Sequence, residues 1–431
     1  MIHYHFACND PHSHYFSVEA IFAEVAKDFT YVYLPAWRPG KYQLADFAKN
    51  VQRLTAYDGD YNPLAVKKVK KDCWQVQTKD VETLKLQYNY FAFKIDAGST
   101  YVDEYEWYIN PINCAVFDPD RMDEQCEISL HFPEGFQVAT SIERKSKHVF
   151  VAKDYYELVD TPFIAAQNIA HDRFELNGIQ FHLWFEGECR PDFDRIKQDF
   201  KAFAQAQIRS MEEFPVNEYH FMYKLPSYPL RHGVEHGNST MIAFGPGFKL
   251  MEDQTYQSFL GISSHELFHT WNVKAIRPVE MKPYRFNEEN YSPLGYVAEG
   301  VTTYFGDLFL LRSGVFDFDT YTHQFNKLLN QHLHNYGRFN LSVADSSFDT
   351  WLDGYEPGIP GRKTSIYIKG GLVAFILHAY ILRDTNLEYG LEDVMKKLYQ
   401  NFAKQNQGYA EADYKEAIES IAERHYDDEF E

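Results

Sequence analysis

The sequence predicts an α+β fold, with a β-sandwich-like amino-terminal domain followed by a mixed and increasingly helical one. Three observations carry this. Short β-type stretches separated by turn residues fill positions 1 to 170. The hydrophobic period changes to helical from about residue 190. The length, 431 residues, allows two or three cores at roughly 100–200 residues per domain.

The elements follow in order. Residues 31–34, 84–90 and 126–132 carry period-2 alternation or β-branched and aromatic enrichment, and Arg38-Pro39-Gly40, Asp58-Gly59-Asp60 and Pro133-Glu134-Gly135 punctuate them. Residues 174–176 and 179–185 read as a strand pair, with Asn177-Gly178 as a two-residue hairpin turn. From Pro191 to Glu212, Phe193, Ile196, Phe200, Phe203 and Ile208 recur at helical spacing. A strand over 218–223 comes next, then helices around residues 265 and 300, and two more at 391–402 and 410–422. The expected domains are 1–170, 171–385 and a helical carboxyl-terminal segment, 386–431. The acidic end, Asp427 to Glu431, reads as a solvated tail.

Composition removes several functions. The hydrophobic share of 45% and charged share of 24% exclude wholesale disorder. The aromatic share of 17%, led by 35 Phe and 32 Tyr, predicts well-packed cores and aromatic-lined clefts. A net charge of −20 argues against nucleic acid and anionic lipid as partners. No apolar run approaches the roughly 18 residues that span a bilayer. The start, MIHYHFACNDPHSHYF, has neither a basic n-region nor an apolar h-region. The five cysteines are scattered without a CxxC pair, so the expected compartment is the reducing cytoplasm. Nothing in the sequence speaks to oligomeric state.

The chemistry is concentrated at His265-Glu266-Leu267-Phe268-His269, an HExxH motif. On a helix, residues i and i+4 share a face, so both imidazoles reach one metal ion. Glu266 stands where a general base for a metal-activated water is needed. Apolar neighbours Phe259, Ile262, Leu267 and Phe268, with no proline before Pro278, predict a helix running through the motif inside a core. A buried Glu between two core histidines is costly without a metal or partner. A catalytic zinc takes three protein ligands. Asn272 and Ala275 occupy the positions where a metzincin needs Gly and His, so the third ligand is sought later. Ser292-Pro293 starts a helix and Gly314 stops it, and Glu299 is its one early acid, among Val297, Ala298 and Val301. Glu288 lies in the polar run Asn287-Glu288-Glu289-Asn290, as a solvated loop acid would. The metal ligands expected are therefore His265, His269 and Glu299. Zn2+ suits two imidazoles and a carboxylate, with cobalt or manganese as alternatives. Asp307, farther along the helix, reads as a solvated acid rather than a partner of the ligands.

HELFHTWNVKAIRP followed by AEGVTTYFGD resembles the glycyl aminopeptidase family, zinc metallopeptidases of the gluzincin type that are distantly similar to aminopeptidase N. LPAWRPGKYQLADFAKNVQ (34–52) is similar to that family's β domain. The interval from His269 to Glu299 is wider than in the aminopeptidase-N type, whose spacing falls on Glu288. The resemblance implies a thermolysin-like catalytic domain. Family members usually carry a PDZ domain after it, and no segment here resembles one. Two site residues are also implied. Glu235, in His232-Gly233-Val234-Glu235-His236, matches the glutamate that holds a peptide's α-amino group, although His232 and His236 replace the flanking residues of that pattern. Tyr367, in Tyr367-Ile368-Lys369-Gly370, matches the tyrosine that stabilises the tetrahedral intermediate. The expected function is a zinc aminopeptidase acting on peptides with a free amino terminus, with a preference for Gly or Ala implied by the resemblance. The alternatives are an endopeptidase on the same site and a peptide-binding protein with structural zinc.

Overall fold

A computed structural model describes residues 1–356 and 358–430. The amino-terminal part is built on an eight-stranded sheet with Ile2–Ala7 near its centre, parallel to Cys126–His131 and antiparallel to Tyr15–Ala23. Thr83–Phe91 and Val51–Tyr57 extend it. Alternation sorts the faces: along Thr83–Phe91, Leu84, Leu86, Tyr88 and Tyr90 are buried while the residues between them are partly exposed. Sheets of three and four strands complete the domain around Tyr4, Phe6, Phe16 and Phe150.

A five-stranded sheet then runs in the spatial order Ile169–Leu176, Ile179–Gly187, Glu218–Leu225, Ser239–Gly245, Leu230–Glu235. Its first two strands join at Asn177-Gly178, both with positive φ (53° and 81°), as a type I′ turn requires. Helix Phe193–Met211, capped by the Asp192 side chain accepting from the Arg195 N–H at 3.1 Å, forms the crossover that leaves the second and third strands parallel. Its Ile196, Phe200 and Phe203 pack with Phe181 and Phe221 of the sheet. Leu230–Glu235 is an edge strand, paired among the described residues only with Ser239–Gly245.

Helices Asp253–Phe268, Thr302–Arg312, Phe318–Leu333 and Ile368–Asp384 follow. The last long helices, Leu391–Asn401 and Glu411–Ala422, place Leu391, Leu398 and Ile418 in the same core as Phe268 and Phe305. Among the described residues no helix is long and apolar enough to cross a membrane.

The HExxH helix runs through the motif as expected but ends at once after it, and two other expectations change. The helix through HExxH ends at Phe268, well before Pro278, and Thr270–Ala275 forms a π turn with Asn272 outside helical geometry (φ −113°, ψ 88°). The Asn272 amide causes this, donating to the Val297 and Ala298 carbonyls and to Thr302 Oγ1 of the neighbouring segment. The stretch expected as one helix from Ser292 to Gly314 opens with a π turn, Tyr296–Val301, before Thr302–Arg312. Finally, the acidic end is not simply solvated. Asp427–Phe430 is a helical turn in which Asp427 pairs with Lys415 and Glu429 with Arg424, because cations stand within reach. Glu431 lies outside the described residues.

Candidate metal centre and active-site cleft

The HExxH helix brings His265 and His269 onto one face, their Nε2 atoms 3.0 Å apart. Glu299 arrives from the facing π turn, with Oε2 3.8 Å from His265 Nε2 and 3.4 Å from His269 Nε2. Donors around a tetrahedral ion with bonds of ~2.0–2.1 Å stand about 3.3 Å apart, so the three fit a single ion. Hydrogen bonds fix the orientation of His269 and Glu299. His269 Nδ1 donates to the Asn272 carbonyl at 2.6 Å, which leaves the Nε2 lone pair for the centre. Tyr42, from the amino-terminal domain, donates to Glu299 Oε1 at 3.0 Å and leaves Oε2 toward the imidazoles.

The electrostatics agree with a site that gathers positive charge. Burial pushes the His265 pKa far down, helped by His269 and Arg231. Burial acts the same way on His269, but the bonded Glu299 carboxylate outweighs it and raises the pKa to about 10. Two imidazole nitrogens facing each other beside a carboxylate need a proton or a cation between them, and this donor set suits a divalent metal.

Glu266 is buried in the same cluster. One of its oxygens, Oε2, has no hydrogen-bond partner among the described residues. Burial raises its carboxyl to about 8, with His269 pulling down and Glu235 and Glu299 pushing up. Glu235 closes the group: donor oxygens of Glu235 and Glu266 and a His269 nitrogen lie within 4.8 Å of one another. Rather than an exposed loop acid, Glu235 is a 5% exposed residue at the end of the edge strand. Its carboxylate makes no hydrogen bond or ion pair among the described residues. The amino-terminal domain covers it through Gly40 (φ +77°), where a Cβ would stand 2.6 Å from Glu235 Oε2.

Tyr367, just before helix Ile368–Asp384, lines the same cleft of about 1140 Å³. Burial and the nearby Glu299 push its pKa well above the ordinary tyrosine value, so the hydroxyl keeps its proton. His236 turns away, with Nδ1 3.2 Å from Asp160 Oδ1. Glu288 is an exposed acid paired with Arg285 at 2.7 Å. Asp307 departs from the solvated acid expected: it lines the cleft half-buried, and burial raises its pKa to about 6. The sequence reading did not identify Tyr42, Gly40 or Asn272 as site residues. Tyr42 and Gly40 stand in the very segment, LPAWRPGKYQ, that carries the resemblance to the family's β domain.

Comparison with known proteins places this geometry. The chain matches the Peptidase M61 N-terminal domain over residues 3–167 and the M61 glycyl aminopeptidase domain over residues 258–373. Among solved structures it is similar to an aminopeptidase N family protein from Idiomarina loihiensis, with 29% identity and a TM-score of 0.90 over 96% of this chain and 73% of that one. It shares its fold with an M1 zinc metallopeptidase from Deinococcus radiodurans, at 11% identity and a TM-score of 0.57 over 97% of this chain and 90% of that one. A mutant of that enzyme bound to a Tyr-Ser-Ala substrate gives a TM-score of 0.56, also at 11% identity, over 97% of this chain and 90% of that one. No curated protein sequence matches the chain. With M61 domains matched in both the strand-rich half that supplies Tyr42 and the helical half that supplies HExxH and Glu299, the chain belongs to the glycyl aminopeptidase family and is a metallopeptidase.

Proposed function

We propose that the protein is a zinc-dependent aminopeptidase that removes small amino-terminal residues, Gly or Ala, from peptides. The observation that carries this reading is Glu235, a buried and unpaired carboxylate whose oxygen lies within 4.8 Å of the Glu266 and His269 donors. An ammonium is the fitting partner for such a group, and an α-amine held there brings the first peptide bond to Glu266. His265, His269 and Glu299 would hold the ion, with Tyr42 orienting Glu299 and the Asn272 carbonyl orienting His269. When bound, zinc supplies Lewis-acid polarisation of a water molecule and of the scissile carbonyl. A divalent cation beside Glu266 would counter the burial that raises its pKa. The ionised carboxylate takes the proton of the attacking water and delivers it to the leaving amine nitrogen. The Tyr367 hydroxyl donates to the carbonyl oxygen as negative charge develops on it. The preference for small first residues is supported by the family and by the close approach of Gly40 to Glu235.

The test is hydrolysis of Gly- and Ala-anilides, with metal content measured and a chelator added. One zinc per chain and chelator-sensitive release are expected. Replacing Glu235 by Gln removes a charge-assisted contact, so kcat/KM on free-amine substrates should fall about 10–100-fold. Equal cleavage of N-acetylated and free-amine substrates would turn the reading toward an endopeptidase. Full activity in Glu266→Gln would end it.

A further inference from the structure

A second compartment of about 650 Å³ adjoins the active-site cleft, and Gly40, His232, Gly233 and Tyr367 line both. The chain carries a net charge of −20, yet four cations, Arg38, Lys41, Lys49 and Lys94, line this compartment against one carboxylate, Asp96. Asp96 is already engaged, by Lys94 Nζ at 2.7 Å and the Gly98 N–H at 2.8 Å. Arg38 is only 5% exposed, and its guanidinium meets the Pro39 carbonyl at 3.0 Å and His232 Nε2 at 3.2 Å. Among the described residues no carboxylate stands within ion-pair distance of it or of the half-buried Lys41, and Asp96 acts on both only from farther away. Removing a cation from water without a counter-charge in direct contact is unfavourable.

The contact between Arg38 and His232 shows what is missing. His232 Nδ1 accepts the Ala97 N–H at 3.2 Å, so a neutral ring carries its proton on Nε2, the atom that faces Arg38. Guanidinium only donates. Two donors therefore point into the same space, and neither satisfies the other. Burial together with Arg38 lowers the His232 pKa to about 4, so the ring is neutral at pH 7. Asp96 Oδ1 stands 3.8 Å from the other ring nitrogen, too far for a hydrogen bond. A negatively charged oxygen in front of Arg38 and His232 Nε2 satisfies both donors together.

We propose that Arg38, His232 and Lys41 form an anion subsite that takes a carboxylate of the substrate. The assignment of direction rests on the aminopeptidase reading. With the α-amine on Glu235, a peptide laid along the edge strand passes Gly233 and His232 with its second residue. The carboxylate then belongs to an acidic side chain at that residue, or to the carboxyl terminus of a di- or tripeptide.

The test is calorimetric binding to the zinc-loaded Glu266→Gln protein, which keeps peptides intact. Gly-Glu-amide against Gly-Gln-amide reads the side-chain carboxylate, and Gly-Gln against Gly-Gln-amide reads the terminal one. At least one carboxylate peptide should bind about tenfold tighter than its amide, despite the protein's negative charge. Adding Arg38→Gln or Lys41→Gln should bring that ratio to within about twofold. If Arg38→Gln fails to fold, the half-buried Lys41 carries the comparison. Equal binding of carboxylates and amides in the parent overturns the proposal, as does a preference that survives Lys41→Gln and any folded Arg38→Gln. N-acetyl-Gly-Glu-amide and N-acetyl-Gly-Gln-amide separate the two readings. If acetylation leaves affinity unchanged, the role of Glu235 falls, while the carboxylate comparison is still read within the acetylated pair.

Discussion

Glu299 shows how one side chain can depend on another far along the chain. Its Oε2 faces the two imidazoles while its Oε1 receives the Tyr42 hydroxyl at 3.0 Å. Without that bond the carboxylate could rotate or accept a proton on Oε1, and either change would weaken its hold on the proposed ion. Tyr42→Phe keeps the ring that meets Trp351 edge-on, with centroids 6.0 Å apart, and removes only the hydroxyl. Zinc affinity, measured by competition with a chromogenic chelator, should fall about 10–100-fold. Unchanged affinity would show that the π turn alone orients Glu299.

At the scale of elements, the site depends on how closely two short backbone segments meet. The π turn Tyr296–Val301 carries Glu299, and the first turn of helix Ile368–Asp384 follows Tyr367. They cross at Gly300 and Gly370, where a Cβ on Gly300 would collide with the Gly370 backbone. Gly300→Ala must therefore push the turn and the helix start apart, moving Glu299 relative to Tyr367. Overpacking of this kind costs about 1–3 kcal/mol, so thermal unfolding should shift down and zinc affinity should fall with it. An Ala variant with both unchanged would refute the close crossing. The same contrast explains what could be read from the sequence. The Asn177-Gly178 hairpin and the pairing of His265 with His269 are set by neighbours two to four residues away, and both were legible. The end of the HExxH helix at Phe268 was not, because no Gly or Pro marks it. The Asn272 side chain, bound across to Val297 and Thr302, ends it instead. Tyr42 and Glu299 are 257 residues apart, and no local period connects them.

Across the whole molecule, the two halves are joined by buried charges as well as by apolar packing. Lys224 of the five-stranded sheet bonds Glu186 of the neighbouring strand and Glu106 of the amino-terminal domain, and Lys224 and Glu106 are each 5% exposed. A second cluster joins Asp160, near the end of the amino-terminal part, to Lys274 at 2.9 Å and His236 at 3.2 Å. In the first cluster two carboxylates share one ammonium. Burial raises the Glu106 pKa, Lys224 lowers it and Glu186 raises it, with a net upward shift. The folded state then holds a proton on Glu106 that the unfolded chain releases above the ordinary glutamate value of about 4.3. Stability from this group is complete below that pH and is lost as pH rises through the raised value. For Asp160, burial alone would raise the pKa, but Lys274 and His236 outweigh it and hold it below the ordinary value. Its contribution is present above about 3.9 and disappears as pH falls through the depressed value. From pH 5 to 9 the urea midpoint of the parent should therefore fall relative to that of Glu106→Gln, a difference that separates this group from His232, Glu266 and the other buried titrating residues. Lys224→Met leaves the buried Glu106 and the half-buried Glu186 without a counter-ion and should cost about 3–5 kcal/mol at pH 8, with a smaller loss at pH 5, where protons replace the ammonium. A Lys224→Met loss that does not change with pH would mean that the cluster joins the halves by shape alone.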